Sequence, residues 1–89
     1  MRQWIRVKRF AEKLSQSESQ TWQDAKEDPD FPQPIRPGPR KTVWDEFEAD
    51  CYMIRKMAAR DNVKPEDLEA YIEKHLALQR RIAALAEAA

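Results

Sequence analysis

The chain has 89 residues, and sixteen basic residues balance sixteen acidic ones. A chain of this length buries only about 60–65% of its unfolded surface, so we expect one compact domain with at most one appendage. No stretch approaches the ~18 apolar residues of a membrane span, and the N-terminus lacks the apolar run of a signal peptide. One cysteine and one histidine exclude a disulfide framework and the usual zinc site. We therefore expect a cytoplasmic binding protein without metal, cofactor or small-molecule ligand, and not an enzyme.

The zero net charge conceals two basic clusters. Residues 1–13 contain five basic residues and one acidic residue, and residues 36–41 contain three basic residues and no acidic one. Between them, residues 14–35 contain five acidic residues and one basic residue. A small binding footprint for a polyanion on a neutral protein has this pattern. The alternative is a set of solvated surface charges.

Two short helices are predicted first. Apolar residues at i, i+3, i+4 and i+7 define the face of a two-turn helix. These are Val7, Phe10, Ala11 and Leu14. Ser17 follows a polar break and is a candidate N-cap for a second helix to about Glu27, with Trp22 and Ala25 on its buried side. Two short helices joined by a tight polar turn predict a helix-turn-helix. All three tryptophans are expected in the core: Trp4, Trp22 and Trp44.

A proline-rich segment follows the second helix. Five of the six prolines lie between Pro29 and Pro39, which excludes a helix there. The only glycine, Gly38, is expected to supply the positive φ of a tight turn. Residues 34–36 and 42–44 can pair around it, so the sequence predicts a two-stranded hairpin with a basic tip. The basic residues are Arg36, Arg40 and Lys41. The alternative is that this run is a ligand for an aromatic-lined domain.

Two longer helices are predicted after the hairpin. Asp45 and Glu48 resemble a capping box at the start of a helix that continues to about Arg60. Its apolar face is expected to contain Phe47, Cys51, Ile54 and Ala58. Pro65 begins the last helix at its first position, and nothing interrupts the pattern before Ala89.

The last helix has its own periodicity. Six residues recur at alternating steps of three and four, which is the spacing of an a/d heptad seam. They are Leu68, Tyr71, His75, Leu78, Ile82 and Leu85. We expect self-association into a homo-oligomer through this seam, and the alternative is packing of the helix on its own domain.

The order of these elements resembles the MerR-like winged helix-turn-helix of the AlpA-type phage regulators and excisionases. Most of the resemblance lies in DPDFPQPIRPGPRKTVWDEFEADCYM. The matching positions are Phe31-Pro32, Pro34-Ile35, Gly38 with Arg36 and Arg40, Trp44, Glu48 and Tyr52. The resemblance covers about residues 3–60. It implies a mainly α fold with a small two-stranded β wing, and we expect residues 1–62 to form the DNA-binding domain. Residues 63–89 lie outside the resemblance, and their heptad spacing favours a helical extension for oligomerisation.

The family resemblance also implies how double-stranded DNA is bound. The second helix is expected in the major groove, and the wing on an adjacent groove or the backbone. The residues expected to face base edges are Ser19, Gln20, Thr21 and Gln23. Those expected on phosphates are Arg36, Arg40 and Lys41 of the wing and Arg6, Lys8 and Arg9 of the first helix. Asp24 stands where the family usually has a basic residue, so a single domain is expected to bind DNA weakly. Acceptable affinity would then need several protomers bound side by side.

The function that the resemblance implies is that of an excisionase in the bacterial cytoplasm, associated with the nucleoid when bound. Such a protein bends attachment-site DNA and directs a tyrosine recombinase (integrase) toward excision, without catalytic residues of its own. An AlpA-like transcriptional activator and a small terminase subunit are DNA-bound alternatives. A protein-interaction adaptor that uses the last helix and binds no DNA is an alternative of another class.

Overall fold

Residues 3–88 are described by the computed structural model of the chain. The elements are β1 (Trp4–Ile5), α1 (Val7–Leu14), α2 (Glu18–Glu27), β2 (Ile35–Gly38), β3 (Lys41–Asp45), α3 (Glu46–Arg60), a 3₁₀ turn (Pro65–Asp67) and α4 (Leu68–Ala88). The predicted mainly α fold with a small hairpin is confirmed, although the antiparallel sheet has three strands, in the order β1-β3-β2. The chain divides into two compact units between Met53 and Ile54. The functional division after Asn62 stays a prediction.

Helices α1 and α2 begin and end as the local sequence predicts. Phe10 and Ala11 are buried on the apolar face of α1. Ser15, at φ 56°, ends α1 in the left-handed region. The N–H groups of Ser15 and Gln16 donate hydrogen bonds to carbonyl oxygens in the last turn of the helix. Ser17 caps α2, because its Oγ accepts a hydrogen bond from the Gln20 N–H at 3.1 Å. A helix-turn-helix arrangement results.

The predicted hairpin forms from β2 and β3, with Gly38 opposite Lys41. The expectation that Gly38 supplies the positive φ is wrong, because Gly38 is outside the left-handed region and Arg40 has φ 62°. Pro39 explains this difference. A proline in the first central position of a two-residue turn fits a type II turn, which requires a positive φ at the following residue.

Aromatic rings form the centre of the first unit. Phe10 stacks on Phe31 at a centroid distance of 5.1 Å and contacts Trp44 edge-on at 5.4 Å, and Phe31 contacts Tyr52 at 5.1 Å. The Trp44 Nε1–H donates to the carbonyl oxygen of Pro32 at 3.0 Å. The proline-rich segment therefore enters the core at its beginning, which argues against its being a free ligand strand.

Only one of the three tryptophans is fully buried. Trp44 has no exposed surface, whereas Trp4 is 57% and Trp22 is 37% exposed. The burial of Ile5 explains why Trp4 is exposed, because successive residues of a strand point to opposite faces of the sheet. Trp22 lies against Trp44 at a centroid distance of 5.2 Å but covers it from outside. The prediction of a core position is wrong for Trp4 and correct only for one side of Trp22.

Helix α3 begins directly at the end of β3. The Asp45 Oδ1 accepts a hydrogen bond from the Phe47 N–H at 2.9 Å, so the predicted cap residue is confirmed. The predicted apolar face is wrong in the first two turns, because Phe47 is 41% exposed and Cys51 is half-buried, while Ala49 and Tyr52 are buried. Since no loop separates β3 from α3, the strand fixes which side of the helix faces the core.

The second unit begins within α3. Asn62, at φ 57°, ends this helix with the backbone hydrogen bonds of a Schellman motif. The neighbouring Asp61 accepts hydrogen bonds from Arg60 at 2.9 Å and from the Tyr71 hydroxyl at 2.9 Å. The Arg60 guanidinium, and then the Tyr71 hydroxyl, hold the pKa of Asp61 below its usual value. The end of α3 is thereby fastened to the first turn of α4.

Candidate nucleic-acid interface

The outer side of α2 carries three neutral polar side chains together with one aromatic and two charged ones. Its exposed side chains between positions 19 and 27 are Ser19, Gln20, Trp22, Gln23, Lys26 and Glu27. Ser19, Gln23 and Lys26 follow i, i+4 and i+7 spacing and therefore share one line along the helix. The sequence analysis did not assign Lys26 to the site, although its seven-residue distance from Ser19 was a usable signal.

Thr21 does not belong to this surface. Its side chain has no exposed area, its hydroxyl donates to the Ser17 carbonyl oxygen at 2.9 Å, and its oxygen accepts from Gln16 Nε2 at 3.2 Å. A side chain must reach solvent to contact a base edge. The expectation that Thr21 faces bases is therefore corrected: it lies on the inner side of α2, where it fastens the helix to the preceding turn.

Asp24, the acidic residue in the middle of α2, is half-buried and satisfied within the protein. Its Oδ2 accepts a hydrogen bond from Gln16 at 3.0 Å, and its Oδ1 accepts one from Gln20 at 2.8 Å. Two N–H donors on one carboxylate offset part of its charge. The charge of Asp24 is therefore less available to repel phosphate than the sequence implies.

The hairpin presents a basic surface without acidic residues. Residues 31–44 contain three basic residues and no acidic one. Arg36, Arg40 and Lys41 are all exposed. Arg40 lies in the two-residue turn, and Lys41 is the first residue of β3. The turn therefore brings two positive charges together at the tip, and Arg36 adds a third on the edge strand β2.

Three basic residues at the start of α1, Arg6, Lys8 and Arg9, are exposed as well. Arg6 lies between β1 and α1, and Lys8 and Arg9 lie in the first turn of the helix. Because β1 is antiparallel to β3, its C-terminal end points toward the hairpin tip, so Arg6 leaves the sheet on that side. Arg9 has a surface ion pair with Glu12 at 3.7 Å, a kind of pair that contributes little.

Lys13, the last basic residue of α1, has a different position. Its side chain is only 16% exposed, and its Nζ lies 3.2 Å from Glu46 and 3.0 Å from Asp50. Both acids belong to α3, so this ammonium group holds α1 against α3. Lys13 is a structural residue and not a candidate phosphate ligand.

The predicted seam of α4 divides into two halves. Leu68, Tyr71 and His75 are half-buried, and the rings of Tyr71 and His75 lie 4.4 Å apart. The other three residues are exposed: Leu78 by 49%, Ile82 by 58% and Leu85 by 70%. The first half of the seam is therefore partly covered within the chain, and the second half presents an apolar stripe to solvent.

Two classes of site are not indicated within residues 3–88. This part of the chain has no cluster of three or more side chains that could hold a metal ion. None of its helices combines the length and the apolar composition that a membrane span requires.

Comparison with known families agrees with this geometry. Residues 3–57, from β1 through most of α3, match the family described as "Prophage CP4-57 regulatory protein (AlpA)". Neither the curated proteins nor the solved structures gave a match to the chain. The AlpA family consists of phage regulatory proteins that usually bind DNA and are not enzymes. Because the matched segment is more than half of the chain and contains the helix-turn-helix, the hairpin and the aromatic core, the protein belongs to the AlpA family.

Proposed function

We propose that this protein is a sequence-specific binder of double-stranded DNA whose helix α2 enters the major groove. Ser19, Gln20 and Gln23 would contact base edges, since a glutamine amide can pair bidentately with adenine. The proposal is supported above all by the hairpin, where three exposed basic residues and no acidic residue follow directly from a helix-turn-helix. A wing of the MerR-like type would place these charges on the DNA backbone.

The basic residues of the hairpin and of the α1 region would supply most of the affinity. Six exposed groups are assigned to phosphates: Arg6, Lys8, Arg9, Arg36, Arg40 and Lys41. If all six bind phosphates, the logarithm of the association constant should fall with the logarithm of salt concentration with a slope of about 5 per protomer. Such contacts position the protein without reading sequence.

We further propose that α4 joins several protomers on neighbouring sites. The proposal is supported by the exposed stripe of Leu78, Ile82 and Leu85, because burial of such side chains between helices is favourable. Simultaneous binding of linked domains can raise affinity by about 10²–10⁴-fold without new contacts to DNA. Residues 1–62 would then be the DNA-binding part and residues 63–89 the oligomerisation part.

The biological role that we favour is that of an excisionase acting at a phage attachment site. Several small subunits bound side by side would bend the DNA and direct a tyrosine recombinase toward excision. Membership of a phage regulatory family supports a regulator acting through DNA. Transcriptional regulation and the DNA-binding role of a small terminase subunit use the same contacts, so they are outcomes to test on the natural site.

The DNA proposal is tested by reversing two charges of the hairpin. Arg36→Glu with Lys41→Glu should abolish the mobility shift on source-genome DNA at low salt. The matched control is Arg55→Glu with Lys64→Glu, which makes the same change in net charge at exposed positions outside the proposed interface. Equal losses in the two variants would indicate a general effect of charge, and a full shift by the hairpin variant would refute the proposed binding mode.

Self-association is tested separately by sedimentation. Replacing Leu78, Ile82 and Leu85 with glutamine should leave the helix content unchanged, since these side chains are exposed and glutamine favours helix. We expect the variant to be a monomer and to bind DNA without cooperativity. Glutamine at Ala77 and Ala84, which are exposed beside the seam, is the control. An unchanged oligomeric state in the seam variant would contradict the proposal.

A protein-interaction adaptor without DNA affinity is the second candidate. It is favoured by the exposed aromatic residues Trp4 and Phe47, which an isolated domain would be expected to cover, and by the acidic residues of α2. The same mobility-shift titration decides between the candidates. Absence of any shift at low salt, together with intact self-association, would support the adaptor.

A further inference from the structure

Asp24 connects the turn of the helix-turn-helix to the outer side of α2. Gln16 Nε2 lies 3.0 Å from Asp24 Oδ2, and Gln20 Nε2 lies 2.8 Å from Asp24 Oδ1. Gln16 belongs to the turn, whereas Gln20 is exposed on α2. Each carboxylate oxygen thus accepts from a different amide, and the carboxylate bridges a structural residue and a candidate base-reading residue.

The inner end of this bridge is firmly held. Gln16 Nε2 is also 3.2 Å from the Thr21 Oγ1, and the fully buried Thr21 donates its own hydroxyl proton to the Ser17 carbonyl oxygen at 2.9 Å. The Gln16 N–H donates to the Ala11 carbonyl oxygen at 3.1 Å. Backbone and side-chain contacts therefore fix Gln16, and through Gln16 they fix the orientation of the carboxylate.

We propose that Asp24 is a positioning residue that orients Gln20 for reading one base, an inference that rests on the proposed DNA-binding function. A glutamine amide has two N–H groups and an acceptor oxygen. Asp24 uses one N–H of Gln20 and leaves the second N–H and Oε1 for the ligand. This donor–acceptor pair matches N7 and the N6 amino group of adenine in the major groove.

The second glutamine of the outer side provides an internal comparison. Gln23 Nε2 donates to Glu27 Oε1 at 3.2 Å, but both side chains are exposed. Glu27 has no counterpart of the Gln16 anchor among the hydrogen bonds of the described residues. Ordering a long side chain on binding weakens association by roughly two- to tenfold. Gln20 is already ordered, so we expect stronger discrimination at its base than at the base that faces Gln23.

The test compares Asp24→Asn with Glu27→Gln in the full chain. Both substitutions remove one negative charge from α2, so both should strengthen binding to random DNA. The gain should be larger for Glu27→Gln, because Glu27 is exposed whereas the Asp24 carboxylate is half-buried and hydrogen-bonded. Asn has one side-chain oxygen and one NH2 group, so Asp24→Asn cannot accept from Gln16 and Gln20 on separate oxygens, and the Gln20 amide loses its observed orientation. We expect Asp24→Asn to lower discrimination at a single A·T pair by roughly two- to tenfold, and Glu27→Gln to leave that pair unchanged.

The A·T pair is identified with the unmodified protein, by selection from a random DNA pool and anisotropy titrations on single-pair variants of the selected site. Gln20→Ala should abolish discrimination at one pair, and Asp24→Asn should have no further effect at that pair in the Gln20→Ala background. Equal discrimination by Asp24→Asn and Glu27→Gln, with the unmodified protein still selective, would overturn only the positioning role. Absence of any selected sequence would overturn the proposed function and this inference with it.

Discussion

Substitution of Arg40 by glycine should affect folding and DNA binding in opposite directions. Arg40 has φ 62° in the hairpin turn. The left-handed region costs an L-residue about 1–2 kcal/mol, and glycine at position 40 would remove that cost. The greater flexibility of glycine in the unfolded chain offsets about 0.5–1 kcal/mol of this stabilisation. The net expectation is a gain of about 0.5 kcal/mol, which corresponds to a rise of roughly 2–4 °C in Tm for a domain of this size.

The DNA-binding effect of the same substitution follows from the lost charge. One fewer phosphate contact should lower the salt slope by about 0.9 and weaken binding to all sequences alike. Arg40→Ala is the informative partner, because it removes the same charge but keeps the Cβ atom and its steric cost. Both variants should therefore bind DNA equally, while only the glycine variant gains stability.

The two effects are measured by thermal melting monitored by circular dichroism and by DNA titrations at several salt concentrations. Gly38→Ala is the control for the hairpin, because a Cβ at Gly38 would meet no atom within 4 Å and its φ is outside the left-handed region. If Arg40→Gly melts at a lower temperature than Arg40→Ala, the hypothesis that the positive φ of Arg40 strains the turn is refuted. An unchanged salt slope in both variants would refute the phosphate contact.

Three further substitutions test the packing that holds the interface. Burial and the hydrogen bond to Asp28 at 2.8 Å raise the pKa of Tyr52 above its usual 10.0, so its contribution to stability is complete below pH 10 and is lost as pH rises beyond it. Tyr52→Phe should cost about 1 kcal/mol at pH 7 and reduce the alkaline loss, as measured by urea unfolding at pH 7 and above pH 10. Lys13→Met leaves two carboxylates of α3 without their ammonium partner and should cost about 1–3 kcal/mol, an effect that should shrink in urea titrations at high salt. Thr21→Val should cost about 1–2 kcal/mol in the same assay and leave sequence discrimination in DNA binding unchanged, whereas loss of discrimination at one base pair would mean that the Thr21 hydroxyl contacts a base.

Local signals in the sequence were sufficient for several boundaries of α2 and α3. Ser17 and Asp45 cap their helices as predicted, and Asn62 ends α3 at the predicted place. Each of these features depends on hydrogen bonds between residues close in sequence, so a short window contains the necessary information. The hairpin was predictable for the same reason, because closely spaced prolines exclude helix and the β-prone residues follow at once.

Features that depend on distant partners were not predictable. The strand β1 forms because residues 4–5 pair with residues 44–45, and no local pattern of two residues specifies a strand. Its pairing points Ile5 into the core and exposes Trp4, which hydrophobicity alone would bury. The position of Thr21 was missed for a different reason: its polarity indicated the outer side of α2, but hydrogen bonds with Gln16 and Ser17, which are close in sequence, hold it on the inner side.

The charge of α2 separates affinity from specificity in this interface. Helix α2 presents one exposed cation, Lys26, and two exposed anions, Glu18 and Glu27, and its candidate base contacts are neutral amides and a hydroxyl. Such groups can read a base but attract phosphates weakly. In the proposed binding mode, the attraction to phosphates would come from the hairpin and from the start of α1, which follow and precede α2 in the chain. With the contacts proposed above, we expect a single protomer to bind DNA weakly and selectively, and the exposed end of α4 would be the apolar surface through which several protomers act together.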